Sequence, residues 1–460
     1  MKVCVLGSGL RTPLLIHGLV HSGLAIDQVA LYDIHPARSH LMAEIGAKIA
    51  QGSDTQVSAI PLLEMAIEDS SFVISSIRVG DMECRARDER HALDCGFAGQ
   101  ETTGPVGCAM ALRTIPVALE HARIVERVAP SAWIVNFTNP AGIITQAIST
   151  HTGAKVLGIC DTPAELFHQI SLALGEPPED VQCDYFGLNH LGWVRAVSVR
   201  GKPLMSRLLA DQTLLRRLYP TKLFPASFLR ALRLIPTEYL FFYYNQELAR
   251  RNQRSAGVTR GEELNALNAQ VWAALEDSVR AGDSDAALHS YRRYLNRRNA
   301  SYMKLDGAGQ SAFQGPDPEW DPFEGATGYH RIAVDAIRAL TSAQPRSMIL
   351  NVRNRGAIEG LAAEDIVEVP CLVDRFGARP LAVGPVPQAV QGLMHSVKHY
   401  ERLTVQAAVE KRWDTAALAL SINPIVGSWE PARAFLEGLP RIDPQHFAAF
   451  ERRDILQSAI

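Results

Sequence analysis

Long hydrophobic runs are missing from the sequence. No segment reaches the ~18 consecutive apolar residues that a membrane-spanning helix requires. Near the N-terminus, Gly7, Gly9 and Arg11 interrupt the stretch that would form the apolar core of a signal peptide, so we interpret this segment as mature sequence. We therefore expect no membrane partner and no cleaved leader.

Charge of one sign is not in excess, and cysteine is scarce. The 460 residues carry a formal net charge of −3, which argues against binding nucleic acid through bulk positive charge. The seven cysteines, at positions 4, 84, 95, 108, 160, 183 and 371, follow no disulfide framework. We expect free thiols in a reducing cytoplasm. A composition of 47% hydrophobic and 21% charged residues excludes a disordered chain.

Repeats and low-complexity linkers are also lacking, so two structural units that pack tightly together are expected for this length. Five short, mostly apolar runs alternate with helical patterns in the first half, which predicts a parallel sheet covered on both faces. These predicted strands are residues 2–6, 29–32, 72–76, 133–137 and 155–159. Beyond them we predict a helix at 260–280, a Gly/Pro-rich loop at 306–327, a strand at 347–352 and a helix at 390–413.

A glycine turn follows the first predicted strand directly. Gly7-Ser8-Gly9 leads into a helix expected from about Thr12, an arrangement that can place a pyrophosphate on the helix N-terminus. Asp33 lies 24 residues beyond Gly9, where an acid can bind the ribose hydroxyls of NAD. Arg38 nearby weakens the resulting preference for NAD over NADP. An ordinary glycine turn in a βαβ unit would have the same pattern.

Polar and thiol groups follow two neighbouring predicted strands. Asn139 comes after one of them, and Cys160 with Asp161 comes after the next. Ligands of open α/β sheets bind beyond the carboxyl ends of the strands, so these groups are candidates for one crevice. Two other interpretations stay open, because free cysteine is commonly a buried structural residue and Asn-Pro is a common turn signal.

Six sequence blocks, taken together and in order, resemble the NAD- and manganese-dependent glycoside hydrolases of family four, particularly the 6-phospho-β-glucosidases. The similarity runs from the first strand to about residue 411. The blocks are RVG at 78–80, GQETTGP at 99–105, NFTNPAG at 136–142, FGLNHL at 186–191, NVRNRGAI at 351–358 and VEVPC at 367–371.

The resemblance implies a fold and a reaction. The expected fold is α/β, with a Rossmann-type NAD domain over residues 1–185 and an α+β substrate domain over 186–460, arranged as in lactate and malate dehydrogenases. In the family, NAD⁺ takes hydride from sugar C3, a base removes the acidified C2 proton, the aglycone is eliminated, water adds at C1 and the hydride returns. The carboxylate pair of most glycosidases is then unnecessary.

The resemblance also assigns residues to the metal and to the base. Cys160 and His190 would be the two protein ligands of a divalent cation, which the family implies is Mn²⁺ although thiolate alone favours softer metals. Tyr239 would abstract the C2 proton, which requires a cation nearby because a free phenol titrates near pH ~10. Without the resemblance, His190 would be interpreted as a structural histidine and Tyr239 as part of an aromatic packing cluster.

Three further residues would bind the substrate, a small phosphorylated glycoside. Arg85 and Arg260 match the family's basic positions, and guanidinium groups suit phosphate oxygens. Asn139 matches the sugar-binding asparagine. The alternative for Arg85 is an exposed helix charge among Glu83 and its acidic neighbours.

Two departures from the family pattern bear on specificity. Phospho-β-glucosidases typically carry asparagine where this chain has Asp161, whereas phospho-α-glucosidases carry aspartate there as leaving-group acid. Asp161 could serve as that acid or cap the following helix, and both roles can hold together. The glycine turn is one residue shorter than in the family, and Arg11 stands where a small or polar residue is usual.

The expected activity is therefore hydrolysis of 6-phospho-β-glucosides with NAD and Mn²⁺ as cofactors, by a homodimer or homotetramer. Hydrolysis of 6-phospho-α-glucosides is the first alternative, because of Asp161. Two further alternatives are a net NAD-dependent dehydrogenase and an inactive sugar-phosphate-binding protein. Accumulation of NADH would distinguish the dehydrogenase from a hydrolase that recycles its cofactor.

Overall fold

The computed structural model describes residues 1–219, 223–306, 321–325 and 328–450.

The strands of the first half lie close to the predicted runs. The strands of the structure are β1 (Lys2–Leu6), β2 (Gln28–Tyr32), β3 (Gln56–Ala59), β4 (Ser70–Ser75), β5 (Trp133–Asn136), β6 (Lys155–Gly158), β7 (Val181–Leu188), β8 (Leu191–Val199), β9 (Lys202–Pro203), β10 (Ile235–Pro236), β11 (Arg346–Arg353), β12 (Ile366–Asp374) and β13 (Gly377–Pro380).

Helices cover the sheet and form the C-terminal part of the described chain. They are α1 (Thr12–Val20), α2 (Pro36–Ile49), α3 (Leu63–Ile67), α4 (Asp81–Asp94), α5 (Gly104–Val128), α6 (Ala141–His151), α7 (Thr162–Leu174), α8 (Met205–Ala210), α9 (Gln212–Leu218), α10 (Ala226–Leu232), α11 (Phe241–Tyr244), α12 (Gln246–Ala256), α13 (Arg260–Arg280), α14 (Ser284–Ala300), α15 (Tyr329–Leu340), α16 (Gln388–Glu410), α17 (Trp413–Ile422), α18 (Trp429–Ile442) and α19 (Pro444–Phe447). Short 3₁₀ turns occupy Pro178–Asp180, Glu238–Leu240 and Pro322–Glu324.

The first six strands form a parallel sheet in the order β3-β2-β1-β4-β5-β6. This is the strand order of dinucleotide-binding folds, so the Rossmann-type prediction is confirmed. The buried centre of the sheet consists of continuous apolar strands because helices lie on both faces. The sequence analysis missed β3, whose residues Gln56 to Ala59 alternate polar and apolar at the edge of the sheet.

Antiparallel strands extend the same sheet into the second half of the chain. β11 pairs with β6, placing Asn351 opposite Gly158, and β12, β7, β8 and β10 follow in that order. The predicted strand at 347–352 is thereby confirmed as β11. β7 runs from 181 to 188 and so crosses the predicted domain boundary at 185, and the described sheet is continuous there. The division into 1–185 and 186–460 stays a prediction.

The predicted helix at 260–280 is confirmed as α13. It begins with a capping box, in which the Thr259 hydroxyl accepts from the Glu262 amide and the Glu262 carboxylate accepts from the Thr259 amide. The prediction of one helix over 390–413 was wrong at its end. Lys411 adopts a left-handed conformation (φ 53°) between α16 and α17, and this terminates the first helix.

The apolar stripe of α16 faces the interior of the chain. Val390, Met394, Val397 and Tyr400 are buried, and α16 packs against α5, α6 and α17. None of the described helices combines the length and hydrophobicity of a bilayer crossing. Of the predicted loop at 306–327, residues 307–320 and 326–327 lie outside the described residues.

Candidate active site

Two adjoining cavities open at the carboxyl ends of the parallel strands. The larger cavity has a volume of about 520 Å³ and the smaller one about 320 Å³. The segments that follow β1 and β5, together with α14, contribute to both of them. The shared wall consists of Arg11, Arg85, Phe137, Asn139, Leu264, Arg298 and Tyr329. Two ligands bound in these cavities would therefore meet at this wall.

The glycine turn lies beside the smaller cavity and fits a dinucleotide. Gly7 has a φ of 92°, and a Cβ there would approach the Ser76 carbonyl oxygen to 2.8 Å. Gly9 lines the smaller cavity, and no heavy atom lies within 4 Å of the point where its Cβ would be. The hydroxyls of Ser8 and Thr12 are buried and have no partner among the described residues. A pyrophosphate at a helix N-terminus requires space beside the backbone and hydrogen-bond donors that are not otherwise engaged, and the start of α1 offers both.

Asp33 supports this turn through its carboxylate. One oxygen accepts from the Ser8 amide at 2.8 Å, and the other accepts from the His35 amide at 2.9 Å. Asp33 is not among the described residues that line the smaller cavity. The geometry thus gives Asp33 a role in holding the glycine turn, and its predicted contact with the ribose stays a prediction.

The two predicted metal ligands are both buried and flank Tyr239. His190 lies in the turn between β7 and β8, where its Nδ1 is 2.8 Å from the Thr102 hydroxyl. The ring of Tyr239 stacks on the His190 imidazole with centroids 4.0 Å apart. Cys160 follows β6 and lies near enough to Tyr239 to add, after burial and Glu238, to the rise in the pKa of the phenol. The Tyr239 ring therefore contacts the His190 imidazole and lies near the Cys160 thiol.

The donor set at these two residues fits a divalent transition metal. Burial lowers the pKa of His190 to about 4, which keeps the imidazole neutral and able to coordinate. Its Nδ1 is bound to Thr102, an arrangement that orients the other ring nitrogen as a metal-ligating histidine requires. Burial, with Glu368 and Asp161 nearby, raises the pKa of the Cys160 thiol well above its usual range. Neither residue forms the wall of the larger cavity, which their neighbours Asp161 and Tyr239 line.

Tyr239 belongs to a chain of hydrogen bonds that includes a buried carboxyl group. Tyr302 bonds to Tyr239, and the Tyr302 hydroxyl donates to Glu238 Oε1 at 3.1 Å. The Thr162 hydroxyl donates to the same oxygen at 3.3 Å. Burial, followed by the charge of Glu238, raises the pKa of Tyr239 well above its usual value. The phenol is therefore a weak base unless a cation lies close to it, as the sequence analysis required.

Asp161 projects toward the larger cavity rather than capping α7. It occupies the N-cap position, but its side chain makes no capping hydrogen bond, so the capping alternative is wrong. Burial raises the pKa of Asp161, while Arg11 and a hydrogen bond with Tyr329 oppose that rise. A carboxyl group with a raised pKa on a cavity wall is suited to protonate a leaving group.

Arg85 is buried and ion-paired, so its interpretation as an exposed helix charge is wrong. Its Nε lies 2.7 Å from Glu89 Oε1, and its Nη1 lies 2.9 Å from Glu101 Oε2. Arg78 approaches the same Glu101 oxygen at 2.7 Å. Although burial opposes ionisation, the two guanidinium groups hold the pKa of Glu101 well below its usual range.

Arg260 begins α13 and lines the larger cavity beside Arg298. Its Nη1 donates to the Ser301 hydroxyl at 2.6 Å, and its Nη2 donates to the Arg298 carbonyl at 3.0 Å. Burial, followed by the charges of Arg298 and Arg85, lowers the pKa of Arg260. Three guanidinium groups thus crowd one wall, and an anion bound there would relieve their mutual repulsion.

The comparisons with known proteins agree with this geometry. The model of the Family 4 glycosyl hydrolase matches residues 2–176, and the model of the Family 4 glycosyl hydrolase C-terminal domain matches residues 185–426. The chain belongs to glycosyl hydrolase family 4. The family predicted from the six sequence blocks is confirmed.

Relatives within family 4 cover nearly the whole chain. A probable 6-phospho-beta-glucosidase of Bacillus subtilis is 29% identical over 451 residues, 95% of each chain. The structure of the 6-phospho-beta glucosidase from Thermotoga maritima with NAD and glucose-6-phosphate has a TM-score of 0.80 at 27% identity, and it covers 97% of this chain and 99% of that one. Another structure of that enzyme, at a TM-score of 0.79 and 26% identity, also contains manganese and covers the same shares.

A more distant likeness bears on the fold alone. Malate dehydrogenase from Plasmodium falciparum has a TM-score of 0.52 at 14% identity, covering 89% of this chain and 99% of that one. The predicted dehydrogenase-like architecture is thereby confirmed for the family 4 chain.

Arg11, the departure in the shortened glycine turn, lies between the two cavities. Its guanidinium carbon is 4.1 Å from the centroid of the Tyr329 ring, and it lines both cavities. Asp161 and Glu101 are among the groups that raise the pKa of Arg11 against the effect of burial. The Arg11 guanidinium therefore faces both cavities and lies near the Asp161 carboxyl group.

Three cavity residues were missed by sequence reasoning. Glu238 precedes the candidate base directly, but only the fold buries its carboxyl group. Tyr302 and Arg298 come from the end of α14 and the turn after it, a region without a family block. Arginine near a helix C-terminus is ordinary, so no sequence signal set Arg298 apart.

A different group of possible metal ligands lies outside the cavities. Among the described residues, Cys84, Asp443 and His446 form the one cluster of three such side chains. Arg87 Nη2 lies 3.1 Å from Cys84 Sγ, and Arg113 Nε lies 2.7 Å from Asp443 Oδ2. Guanidinium groups already neutralise this cluster, so it is an ion-pair network that ties α4 and α5 to the segment before α19.

The buried Glu238 predicts a pH-dependent stability. Burial raises the pKa of Glu238 to about 8 from its ordinary 4.5. As pH rises, the unfolded chain loses this proton first, so stability falls between these two values and levels off above them. Glu238→Gln retains an acceptor for Tyr302 but cannot ionise. Between pH 5 and pH 8 we expect the free energy of unfolding to fall by roughly 2–4 kcal/mol more in the wild type than in the variant.

Urea unfolding at a series of pH values measures this difference. Glu179→Gln, at an exposed glutamate, is the control and should retain the wild-type slope. Identical pH slopes for the wild type and Glu238→Gln would show that the Glu238 carboxyl does not hold its proton in the folded chain.

Proposed function

We propose that this chain hydrolyses 6-phospho-β-glucosides with NAD and a divalent cation, Mn²⁺ by family, as catalytic cofactors. The observation that carries the proposal is the position of Tyr239. Its ring stacks on His190 beside Cys160, and it lies on the wall of a cavity that adjoins the one at the glycine turn. This arrangement supports a site in which the base, the metal ligands and the two bound ligands act together.

The position of each residue determines its proposed role in binding the phosphate, the sugar or the cation. Arg85, Arg260 and Arg298 bind the 6-phosphate, and Asn139 on the shared wall binds a sugar hydroxyl. Cys160 and His190 hold the cation. When bound, the dinucleotide supplies a reversible hydride acceptor for C3 and the cation polarises the adjacent sugar oxygens, which together acidify the proton on C2.

Tyr239 accepts the C2 proton, and a hydrogen bond joins its hydroxyl group to that of Tyr302. Asp161 donates a proton to the glycosidic oxygen as the aglycone leaves. Gly7, Ser8 and Gly9 place the pyrophosphate at the start of α1. Asp33, which fixes this turn, is proposed to bind the ribose as well.

Asp161 also supports a second candidate, hydrolysis of 6-phospho-α-glucosides. In the family pattern an aspartate at this position accompanies α-linked substrates, and here its carboxyl group faces the cavity with a raised pKa. The anomeric preference is therefore the part of the proposal that most needs a direct test.

A panel of nitrophenyl glycosides tests the function. The α- and β-linked glucosides, with and without 6-phosphate, are incubated with NAD⁺, Mn²⁺ and a reductant that maintains the thiol. We expect release of nitrophenol from the β-linked 6-phosphate without net NADH. Preference for the α-linked compound would select the second candidate, whereas stoichiometric NADH would select a dehydrogenase. Absence of any turnover would favour an inactive binding protein.

Arg260→Ala is expected to lower kcat/KM for a 6-phosphoglycoside by about 10²-fold, because two charge-assisted hydrogen bonds to phosphate are lost. Turnover of the unphosphorylated glycoside should change by less than about threefold. The control is Arg280→Ala, which removes an exposed guanidinium from the last turn of the same helix. Equal losses for both substrates would contradict a phosphate role for Arg260.

We further propose a homodimer or homotetramer in the cytoplasm. Exposed apolar side chains on three consecutive packed helices support an interface, namely Val409, Leu418, Ile422 and Trp429. The apolar stripe of α16 is buried within the chain and is not part of this surface. All seven cysteines are free thiols, which supports a reducing compartment. Sedimentation equilibrium measures the subunit number directly.

A further inference from the structure

Three side chains at one end of the smaller cavity have no part in the chemistry proposed above. Arg38 comes from the first turn of α2, Asp81 begins α4, and Trp272 lies in the middle of α13. Arg38 Nη1 donates to Asp81 Oδ1 at 2.7 Å, and Nη2 donates to Asp81 Oδ2 at 3.1 Å. The guanidinium carbon lies 5.6 Å from the centroid of the Trp272 ring.

The position of this cluster relates it to the adenosine half of a dinucleotide. The smaller cavity also contains Gly9, the expected pyrophosphate site, and α2 directly follows β2. In dinucleotide folds, the residues after the second strand contact the adenosine ribose. An acid there binds the 2′-hydroxyl of NAD, and an arginine accommodates the 2′-phosphate of NADP. Here an acid and an arginine are present together, bonded to each other.

Asp81 is the carboxylate that faces this cavity. Of the described residues that line it, Asp81 alone carries a carboxylate. Asp33, whose oxygens accept from the backbone amides of Ser8 and His35, is not among the lining residues. Asp81 also has a left-handed backbone conformation, with φ of 55°, directly after Gly80 at φ of 81°. This conformation starts α4 at the cavity wall.

The charges at the cluster distinguish the two dinucleotides. A 2′-hydroxyl can donate to the Asp81 carboxylate without disturbing its bonds to Arg38. A 2′-phosphate would have to displace that carboxylate from Arg38 and would then lie beside it, at the cost of like-charge repulsion. The remaining lining arginines are engaged elsewhere. Glu101 pairs with Arg78 and Arg85, Arg11 lies over Tyr329, and Arg298 is proposed to bind the 6-phosphate.

Helix α13 supplies a face of apolar and amide side chains next to this pair. Its residues on the smaller cavity, Leu264, Asn265, Asn268, Ala269 and Trp272, recur at three- and four-residue intervals and so share one face. An indole at the end of that face is suited to stack on a purine. Arg260 in the first turn of the same helix faces the larger cavity, so α13 contacts both ligand sites.

We propose that Arg38, Asp81 and Trp272 bind the adenosine half of the cofactor, and that Asp81 selects NAD over NADP by occupying Arg38 and repelling a 2′-phosphate. The inference rests on the proposed function, which gives the class of cofactor as a nicotinamide dinucleotide. It assigns the selection to Asp81 rather than to Asp33, which the sequence pattern favoured.

Isothermal titration calorimetry of the full chain with NAD⁺ and with NADP⁺ tests the inference without relying on activity. The wild type should bind NAD⁺ at least tenfold more tightly than NADP⁺. Asp81→Asn should tighten NADP⁺ binding at least tenfold and change NAD⁺ binding by less than about threefold. Asparagine tolerates the left-handed conformation and is nearly isosteric, so the variant should fold. Adding Arg38→Ala to Asp81→Asn should abolish the gained affinity for NADP⁺.

The control for charge is Glu83→Gln, an exposed carboxylate on the same helix, and the expected change in preference is none. Trp272→Phe should weaken both dinucleotides about fivefold through the loss of stacking area, whereas Trp429→Phe on α18 should weaken neither. Unchanged NADP⁺ affinity in Asp81→Asn, or an equal shift in Glu83→Gln, would overturn the selection by Asp81. Unchanged affinities in Trp272→Phe would overturn the adenosine site. A wild type that binds neither dinucleotide would overturn the proposed function and this inference together.

Discussion

Replacing Cys160 by serine is expected to lower metal-dependent hydrolysis by about 10³-fold while the chain remains folded. A serine hydroxyl is a far weaker ligand than a thiolate, so the cation loses one of its two protein ligands. Losing about 4 kcal/mol of metal stabilisation of the transition state corresponds to this change in rate. The substitution is nearly isosteric, and Cys160 lies at the end of a strand beside the cavity rather than within the apolar layers of the sheet.

The measurement is kcat/KM as a function of Mn²⁺ concentration, together with direct calorimetry of Mn²⁺ binding. Cys371→Ser is the matched control, because Cys371 is also a buried thiol in the same sheet and is bonded to the Val369 carbonyl. It should retain wild-type activity and metal affinity. Wild-type Mn²⁺ affinity in Cys160→Ser would show that the thiol is not a ligand.

Tyr239→Phe is expected to lower kcat by ~10²–10⁴-fold, the usual contribution of a positioned general base. The ring that stacks on His190 is retained and only the hydroxyl is lost, so substrate and cofactor binding should change little. The effect should therefore fall on kcat rather than on KM. Steady-state kinetics on the 6-phosphoglycoside, with a thermal unfolding curve for the variant, measure both.

Tyr243→Phe is the control for this substitution. Tyr243 lies in α11, one helical turn beyond Tyr239, and its hydroxyl bonds to Asn423 rather than facing the larger cavity. Its loss should leave kcat within about twofold of the wild type. A near-normal kcat in Tyr239→Phe, or the same loss in both variants, would assign the base to another residue.

The parallel half of the sheet was predictable because its strands are buried on both faces. Such strands are continuous apolar runs, and a glycine turn marks the first crossover. Of the antiparallel extension, only β11 was predicted. The extension is joined to the parallel half by β11 pairing with β6, and β12 pairs with β7, so these partners are distant in sequence. A short amphipathic strand such as β3 has no local signal that distinguishes it from a loop.

Residue types at the strand ends predicted that Asn139 and Asp161 would lie at one cavity, but they did not give the environment of each side chain. The position of Asp161 after β6 follows from the order of the strands, so its place near the cavity was predictable. The absence of a capping hydrogen bond from Asp161 was not predictable, because capping depends on the direction of the side chain. Arg85 looked exposed among charged neighbours, and only the packing of α13 on α4 buries it with Glu89.

Side chains that meet only through tertiary contacts were the hardest to predict from the sequence. Glu238 bonds to Thr162 and Tyr302, residues 76 and 64 positions away, and no local pattern indicates such a cluster. Asp33 is the converse case, because the motif marked its position but gave no sign of its contacts within the turn. Its carboxylate holds the backbone of the turn that the motif describes.

The central claim is that this chain cleaves the glycosidic bond after removing the proton on C2. A 6-phosphoglucoside that carries deuterium at C2 tests it, by comparing turnover with the protonated compound and by measuring the deuterium that remains in the product. We predict a slower rate for the deuterated substrate or loss of its label to water. Equal rates with complete retention of deuterium in the product would contradict the account.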